Sequence, residues 1–125
     1  MGIIAGSITK DEFLSNPSAY ADKDVVAYCT VGYISGAAAC ELRRAGHNNV
    51  KNFGDGALLA YTLHLTSKGV ENPLVKLDGT PTNEVHTFMD DLAPLAGDGM
   101  VGKSFADPGS VLSQANENIK NTLGL

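Results

Sequence analysis

The chain has 125 residues, 43% of them hydrophobic, which suits one domain with a sizeable core. Fourteen acidic residues against nine basic ones give a net charge of −5 with no basic run, which argues against a phosphate-backbone partner and hence against nucleic acid. No apolar stretch approaches the roughly 20 residues that span a bilayer, so no membrane partner is expected.

The N-terminus Met1-Gly2-Ile3-Ile4-Ala5-Gly6 lacks the basic and long apolar regions of a signal peptide. No strand is convincing before residue 24. A short helical pattern, Lys10 to Leu14, follows Thr9-Lys10-Asp11-Glu12, which fits a capping box. Asn16-Pro17 stops it, because the residue before proline avoids the α region.

Asp24 to Cys29 is an apolar run of strand length, expected to be buried on both faces. A loop with one glycine, Gly32, follows. Ser35 is the expected N-cap of a helix over Gly36 to Ala45, with Gly46 at the left-handed position beyond its end and Arg43 and Arg44 in its last turn. Asn49 to Phe53 reads as a second strand, which makes a βαβ unit with parallel strands.

Gly54-Asp55-Gly56 turns the chain into another helix, Ala57 to Ser67, ended by Gly69. Pro73 to Leu77 and Glu84 to Phe88 flank Asp78-Gly79 as a loose hairpin or two extended segments. Residues 90 to 109, rich in Gly, Asp and Pro, read as surface loop. Ser110 opens a last amphipathic helix through Leu112, Ala115, Ile119 and Leu123.

Cys29 ends a parallel strand just before a helix, the usual ligand position of an open α/β sheet. Loop N–H groups and a helix N-terminus converge there, and both favour an anion such as a thiolate. The plain alternative is a buried inert thiol. Cys40 falls on the helix after the loop and reads as structural. Two cysteines on different elements make no disulfide framework, although a bridge stays open, and a reduced intracellular compartment, cytoplasmic by default, is expected.

His47, His64 and His86 lack metal-ligand spacing, so neither metal nor cofactor is expected. Gly97-Asp98-Gly99-Met100-Val101-Gly102-Lys103-Ser104 matches the phosphate-loop pattern G-x-x-x-x-G-K-[ST]. Asp90-Asp91-Leu92-Ala93-Pro94 upstream is no core strand, and Pro108-Gly109 breaks a helix downstream, so the match reads as chance.

Val25-Val26-Ala27-Tyr28-Cys29-Thr30-Val31-Gly32-Tyr33-Ile34-Ser35-Gly36 resembles the active-site strand and loop of rhodanese-like domains, which typically read C-x-x-G-x-R-S. Ala39-x-x-Leu42-x-x-x-Gly46 is similar to the helix after that loop. Asn49 to Gly56 is similar to the family's next strand and glycine turn. Tyr61 stands where tryptophan is common, and Asn72-Pro73-Leu74-Val75 resembles the closing segment. Gly2-Ile3-Ile4-Ala5-Gly6-Ser7 resembles a worn G-H-I-x-G-A signature, so the likeness runs over roughly residues 2 to 88.

The resemblance implies an α/β fold, a parallel sheet flanked by helices, with the family's first strand and its Asp-x-Arg missing. It divides the chain into an N-terminally incomplete rhodanese-like domain, residues 1–89, and a loop-rich tail, residues 90–125, ending in an amphipathic helix. It leaves an organelle open as the compartment. The implied activity is sulfur transfer or persulfide carriage. Cys29 is the nucleophile, and the N–H groups of Thr30, Val31, Gly32, Tyr33, Ile34 and Ser35 cradle the persulfide. The Ser35 hydroxyl either caps the helix or reaches the sulfur.

The implied partners are a small sulfur donor and a thiol or cyanide-like acceptor, with a protein acceptor also allowed. Two further departures matter: Ile34 replaces the loop arginine, weakening anion binding, and Asp55 interrupts the glycine pair. The alternative is a catalytically impaired binding or regulatory module. The cysteine-phosphatase pattern C-x(5)-R is set aside because Ser35 occupies its arginine position.

Overall fold

The structure, a computed structural model, describes residues 2–104 together with Ser113, Gln114, Asn116, Glu117 and Lys120. In chain order these form helix α1 (Lys10–Ser15), a 3₁₀ turn (Pro17–Tyr20), strand β1 (Val25–Ala27), helix α2 (Tyr33–Arg44), strand β2 (Val50–Asn52) and helix α3 (Ala57–Ser67). Strands β3 (Leu74–Val75), β4 (Pro81–Thr82) and β5 (Glu84–Phe88), a 3₁₀ segment (Asp90–Ala96) and strand β6 (Val101–Ser104) follow. The chain is mixed α/β with short parallel and antiparallel strands. Among the described residues no helix is long and apolar enough to cross a membrane.

The capping box expected at Thr9 forms in both directions. Glu12 N–H donates to Thr9 Oγ1, and Thr9 N–H donates to the Glu12 carboxylate. Phe13 from α1 packs on Tyr20 and meets His47 edge-on, which ties the N-terminal third to the end of α2.

One parallel sheet was expected. The strands instead form three two-stranded sheets: β1 with β2 and β5 with β6 are parallel, and β3 with β4 is antiparallel. The βαβ unit is present, with Val25 opposite Val50 and Ala27 opposite Asn52. Its first strand is not buried on both faces as expected, since Val26 is 52% exposed. A two-stranded ribbon covered on one side leaves alternate residues in solvent.

Of the two readings open across Asp78-Gly79, the structure has the second: the two segments are separate extended elements and do not pair with each other as a hairpin. Leu74–Val75 pairs with Pro81–Thr82, while Glu84–Phe88 pairs in parallel with Val101–Ser104. Residues 90–104, expected as surface loop, supply the 3₁₀ segment on α3 and strand β6 on β5. A parallel partner needs a crossover of about a dozen residues, and the Gly-, Asp- and Pro-rich composition concealed one.

The apolar stripe expected after Ser110 lies outside the described residues. Ser113, Gln114, Asn116, Glu117 and Lys120 are helical.

Two apolar clusters meet at the end of β1. Phe13, Ala39, Leu42 and Val50 pack with Val25 and Ala27. Leu58, Leu59, Leu74, Val85 and Ala96 pack with Tyr28 and Val31. Cys29 sits where the chain passes from one cluster to the other. The N-terminal residues join the second cluster: Ile3 bridges Val75, Gly2 N–H donates to Glu84 O, and Ile4 N–H donates to the Tyr28 hydroxyl at 3.0 Å.

Candidate functional site

Strand β1 ends two residues before Cys29, and the loop 28–32 then turns into α2. Gly32 makes that turn possible. Its φ is +96°, and a Cβ there would lie 3.0 Å from Phe53 O and 3.3 Å from Gly54 Cα. A left-handed residue pressed on another backbone is a position for glycine. Gly32, not Ser35, is the N-cap of α2, because the helix starts at Tyr33.

That shift of three residues changes what Ser35 does. Its N–H is one of the four donors that a helix leaves unpaired at its start. Cys29 Sγ accepts two of those four, from Gly32 N at 3.2 Å and from Ser35 N at 3.3 Å. The N–H groups of Tyr33 and Ile34, the two between them, have no acceptor among the described residues. The sulfur therefore sits at the positive end of the α2 dipole, where negative charge is favoured.

The Ser35 hydroxyl neither caps α2 nor reaches the sulfur. It donates to Asn52 Oδ1 at 2.6 Å, and Asn52 Nδ2 donates to Gly32 O at 3.0 Å. Asn52, at the end of β2, thus clamps both ends of the turn that holds the thiol. No motif had singled it out. The only hint was an asparagine in a strand, where that residue is disfavoured.

A second helix grips the same loop. Leu58 N–H donates to Cys29 O at 3.2 Å, and Leu59 N–H donates to Thr30 O at 3.1 Å. The start of α3 therefore spends its free donors on the loop's carbonyls, while the start of α2 spends two on the sulfur. Asp55, Gly56 and Ala57, which lead into α3, all have positive φ (52°, 90° and 43°). Such consecutive left-handed residues persist only when surrounding contacts hold them, and here the bonds to Cys29 and Thr30 do so. Asp55 itself is exposed.

Thr30 is buried, and its hydroxyl lies 2.9 Å from His86 Nδ1 and 3.1 Å from His86 O on β5. His86 Nδ1 also accepts from Phe88 N–H at 3.2 Å, so that nitrogen carries no proton and Nε2 does. Burial lowers the His86 pKa below its ordinary value, in line with a neutral ring. Along the sequence the three histidines share no metal-ligand spacing. His86 is brought to the residue next to Cys29 by a strand pairing no local pattern announces.

Of the expected site residues, Gly32 and Ser35 contact the sulfur through their backbones. Thr30 turns its side chain to β5, and Val31 packs into the core beneath the loop. Tyr33 is exposed, and its hydroxyl donates to Asn116 Oδ1. Ile34, in the first turn of α2, is half-buried and supplies no cation. Arg43 and Arg44 are at the other end of that helix.

Cys29 and Cys40 are both free thiols. Among the described residues no group of His, Cys, Asp or Glu side chains could hold a metal. The phosphate-loop pattern dissolves: Gly102, Lys103 and Ser104 lie on β6 rather than at a helix start. A Cβ on Gly102 would meet Ala93 Cβ and Thr87 Cγ2, both at 2.9 Å, so that glycine serves packing.

Comparison with protein-family models, with curated proteins and with solved structures gives no match to this chain.

Proposed function

We propose that the protein is a rhodanese-like sulfurtransferase or persulfide carrier in which Cys29 accepts sulfur. One observation carries the reading most: Cys29 Sγ accepts two first-turn N–H groups of α2, with two more donors, on Tyr33 and Ile34, left over. That is a cradle for an anionic sulfur and for the additional sulfur of a persulfide.

In the proposed reaction the Cys29 thiolate attacks the outer sulfur of a small sulfane donor. A sulfur–sulfur bond forms as the donor's own bond breaks, and the leaving group departs with the electron pair. An acceptor thiolate or cyanide-like nucleophile then attacks the terminal sulfur, and Cys29 recovers its electron pair. No external oxidant or reductant is needed.

With isoleucine at position 34 the donor's charge meets only backbone dipoles, so turnover with thiosulfate is expected to be weak. Losing a charged hydrogen-bond partner costs about 1.5–3 kcal/mol.

Incubation with thiosulfate, inorganic polysulfide and an organic persulfide, followed by mass spectrometry, tests this directly. An adduct of about 32 Da on Cys29 is expected, lost in Cys29→Ser and kept in Cys40→Ser. No adduct with any donor would overturn the carrier reading and leave the same fold as a binding or regulatory module. Ile34→Arg is expected to raise thiosulfate turnover roughly 10-fold or more, the equivalent of the lost charged bond.

A further inference from the structure

Among the described residues, a group of three cations lies away from the thiol loop. A cleft of about 580 Å³ opens between the C-terminal half of α2 and β2, with Cys40, Arg43, Arg44, Asn48, Lys51 and Asn52 among its lining residues. Its volume falls in the range of small-molecule sites. Three of the chain's nine Lys and Arg residues line it, and among the described residues no Asp or Glu does. In a chain of net charge −5 that segregation is the opposite of an evenly mixed surface.

Helix spacing builds one wall. Cys40, Arg43 and Arg44 stand at i, i+3 and i+4, on one face of α2. Arg43 is held in place by a bond from Nη1 to Val50 O at 3.2 Å, which leaves its other N–H groups available. Arg44 has no ion pair among the described residues. Lys51 reaches in from β2 and pairs with Asp24 at 3.4 Å, an exposed pair that yields easily to a competing anion. Asn48 and Asn52 add neutral amide donors.

Two arginines in the last turn of a helix can be explained by its dipole alone. That end of the helix carries only about half a negative charge. Against it stand two guanidinium groups and an ammonium from another element. Even with Asp24 counted, more than one positive charge is left over.

We propose that this cleft binds a small molecule carrying two or more clustered anionic groups, a phosphate ester or a polycarboxylate. The site is separate from the sulfur cradle, whose Cys29 does not line it. Asn52 belongs to both, which places an occupant beside the clamp on Gly32 and Ser35. Binding here does not depend on sulfur transfer at Cys29, so either idea can fail alone.

The test is a heteronuclear NMR titration of the whole chain at low ionic strength, with inorganic pyrophosphate in one arm and citrate in the other. Saturable shifts are expected at the amides of Cys40, Arg43, Arg44, Lys51 and Asn52. Tighter binding of pyrophosphate assigns the phosphate class, and tighter binding of citrate the carboxylate class. Arg44→Glu with Lys51→Glu should weaken either ligand about tenfold or more, and the milder Arg44→Gln with Lys51→Gln should follow the same trend if the first pair perturbs folding.

A second readout uses Cys40 as the reporter. Its alkylation by anionic iodoacetate, relative to neutral iodoacetamide, should fall in the same variants. Absence of saturable shifts in both arms, or shifts unchanged by charge reversal, would overturn the proposal.

Discussion

Replacing Asn52 by alanine removes the clamp on the thiol loop, and the cost can be worked from what each lost bond leaves behind. The Ser35 hydroxyl, 4% exposed, loses its acceptor inside the fold. A buried donor left unpaired costs about 1–3 kcal/mol. Gly32 O loses Asn52 Nδ2 but still accepts from Gly36 N–H at 3.0 Å, so this second loss is about 0.5–1.5 kcal/mol.

The sum, about 1.5–4.5 kcal/mol, corresponds at about 4 °C per kcal/mol to a Tm lower by roughly 6–18 °C for a domain of this size. Ser35→Ala breaks one of the same bonds from the other side. It leaves the exposed Asn52 to be hydrated and puts alanine, the best helix former, inside α2. Its loss should stay within about 0.5–1.5 kcal/mol.

Thermal unfolding followed by circular dichroism reads both variants, and alkylation of Cys29 reads the loop locally. Asn52→Ala should also speed that alkylation, because Gly32 and Ser35 no longer hold the sulfur. If Ser35→Ala is as damaging as Asn52→Ala, or if neither variant moves Tm, the clamp does not hold the loop.

Gly32→Ala should cost about 2–4 kcal/mol, since a left-handed φ of +96° adds about 1–2 kcal/mol of strain to a contact at 3.0 Å with Phe53 O; an unchanged urea midpoint would refute it. Thr87→Val should stabilise by about 1 kcal/mol or more, because Thr87 Oγ1 is buried with no hydrogen-bond partner among the described residues and valine keeps the shape; a lower Tm would show that the hydroxyl is used. Burial lowers the His86 pKa below its unfolded value of 6.5, so its contribution is fully present above that pH and is lost as pH falls through the folded pKa. Urea midpoints measured from pH 7.5 down to 5 should therefore decline, and His86→Asn should flatten the decline; equal slopes would exclude His86 as its source.

Much of the local structure was legible in the sequence because the signals were local. The capping box at Thr9, the helix Ala57–Ser67, Gly46 beyond the end of α2 and the parallel pairing of β1 with β2 need only neighbours along the chain or one βαβ unit. Cys29 at a strand end before a helix was legible for the same reason.

Tertiary structure decided the rest. Which residue caps α2 depends on Gly32 fitting against Phe53 and Gly54, far along the chain, and that contact turned Ser35 from a cap into a partner of Asn52. The second grip on the loop, from the start of α3, follows from where that helix docks. Strand β6 beside β5 was hidden because a pairing across a crossover leaves no periodic trace in a glycine-rich segment. The sequence alone determined that a thiol would stand at a helix start; only the packing of two helices and Asn52 around it decided which donors hold it and which stay unpaired among the described residues.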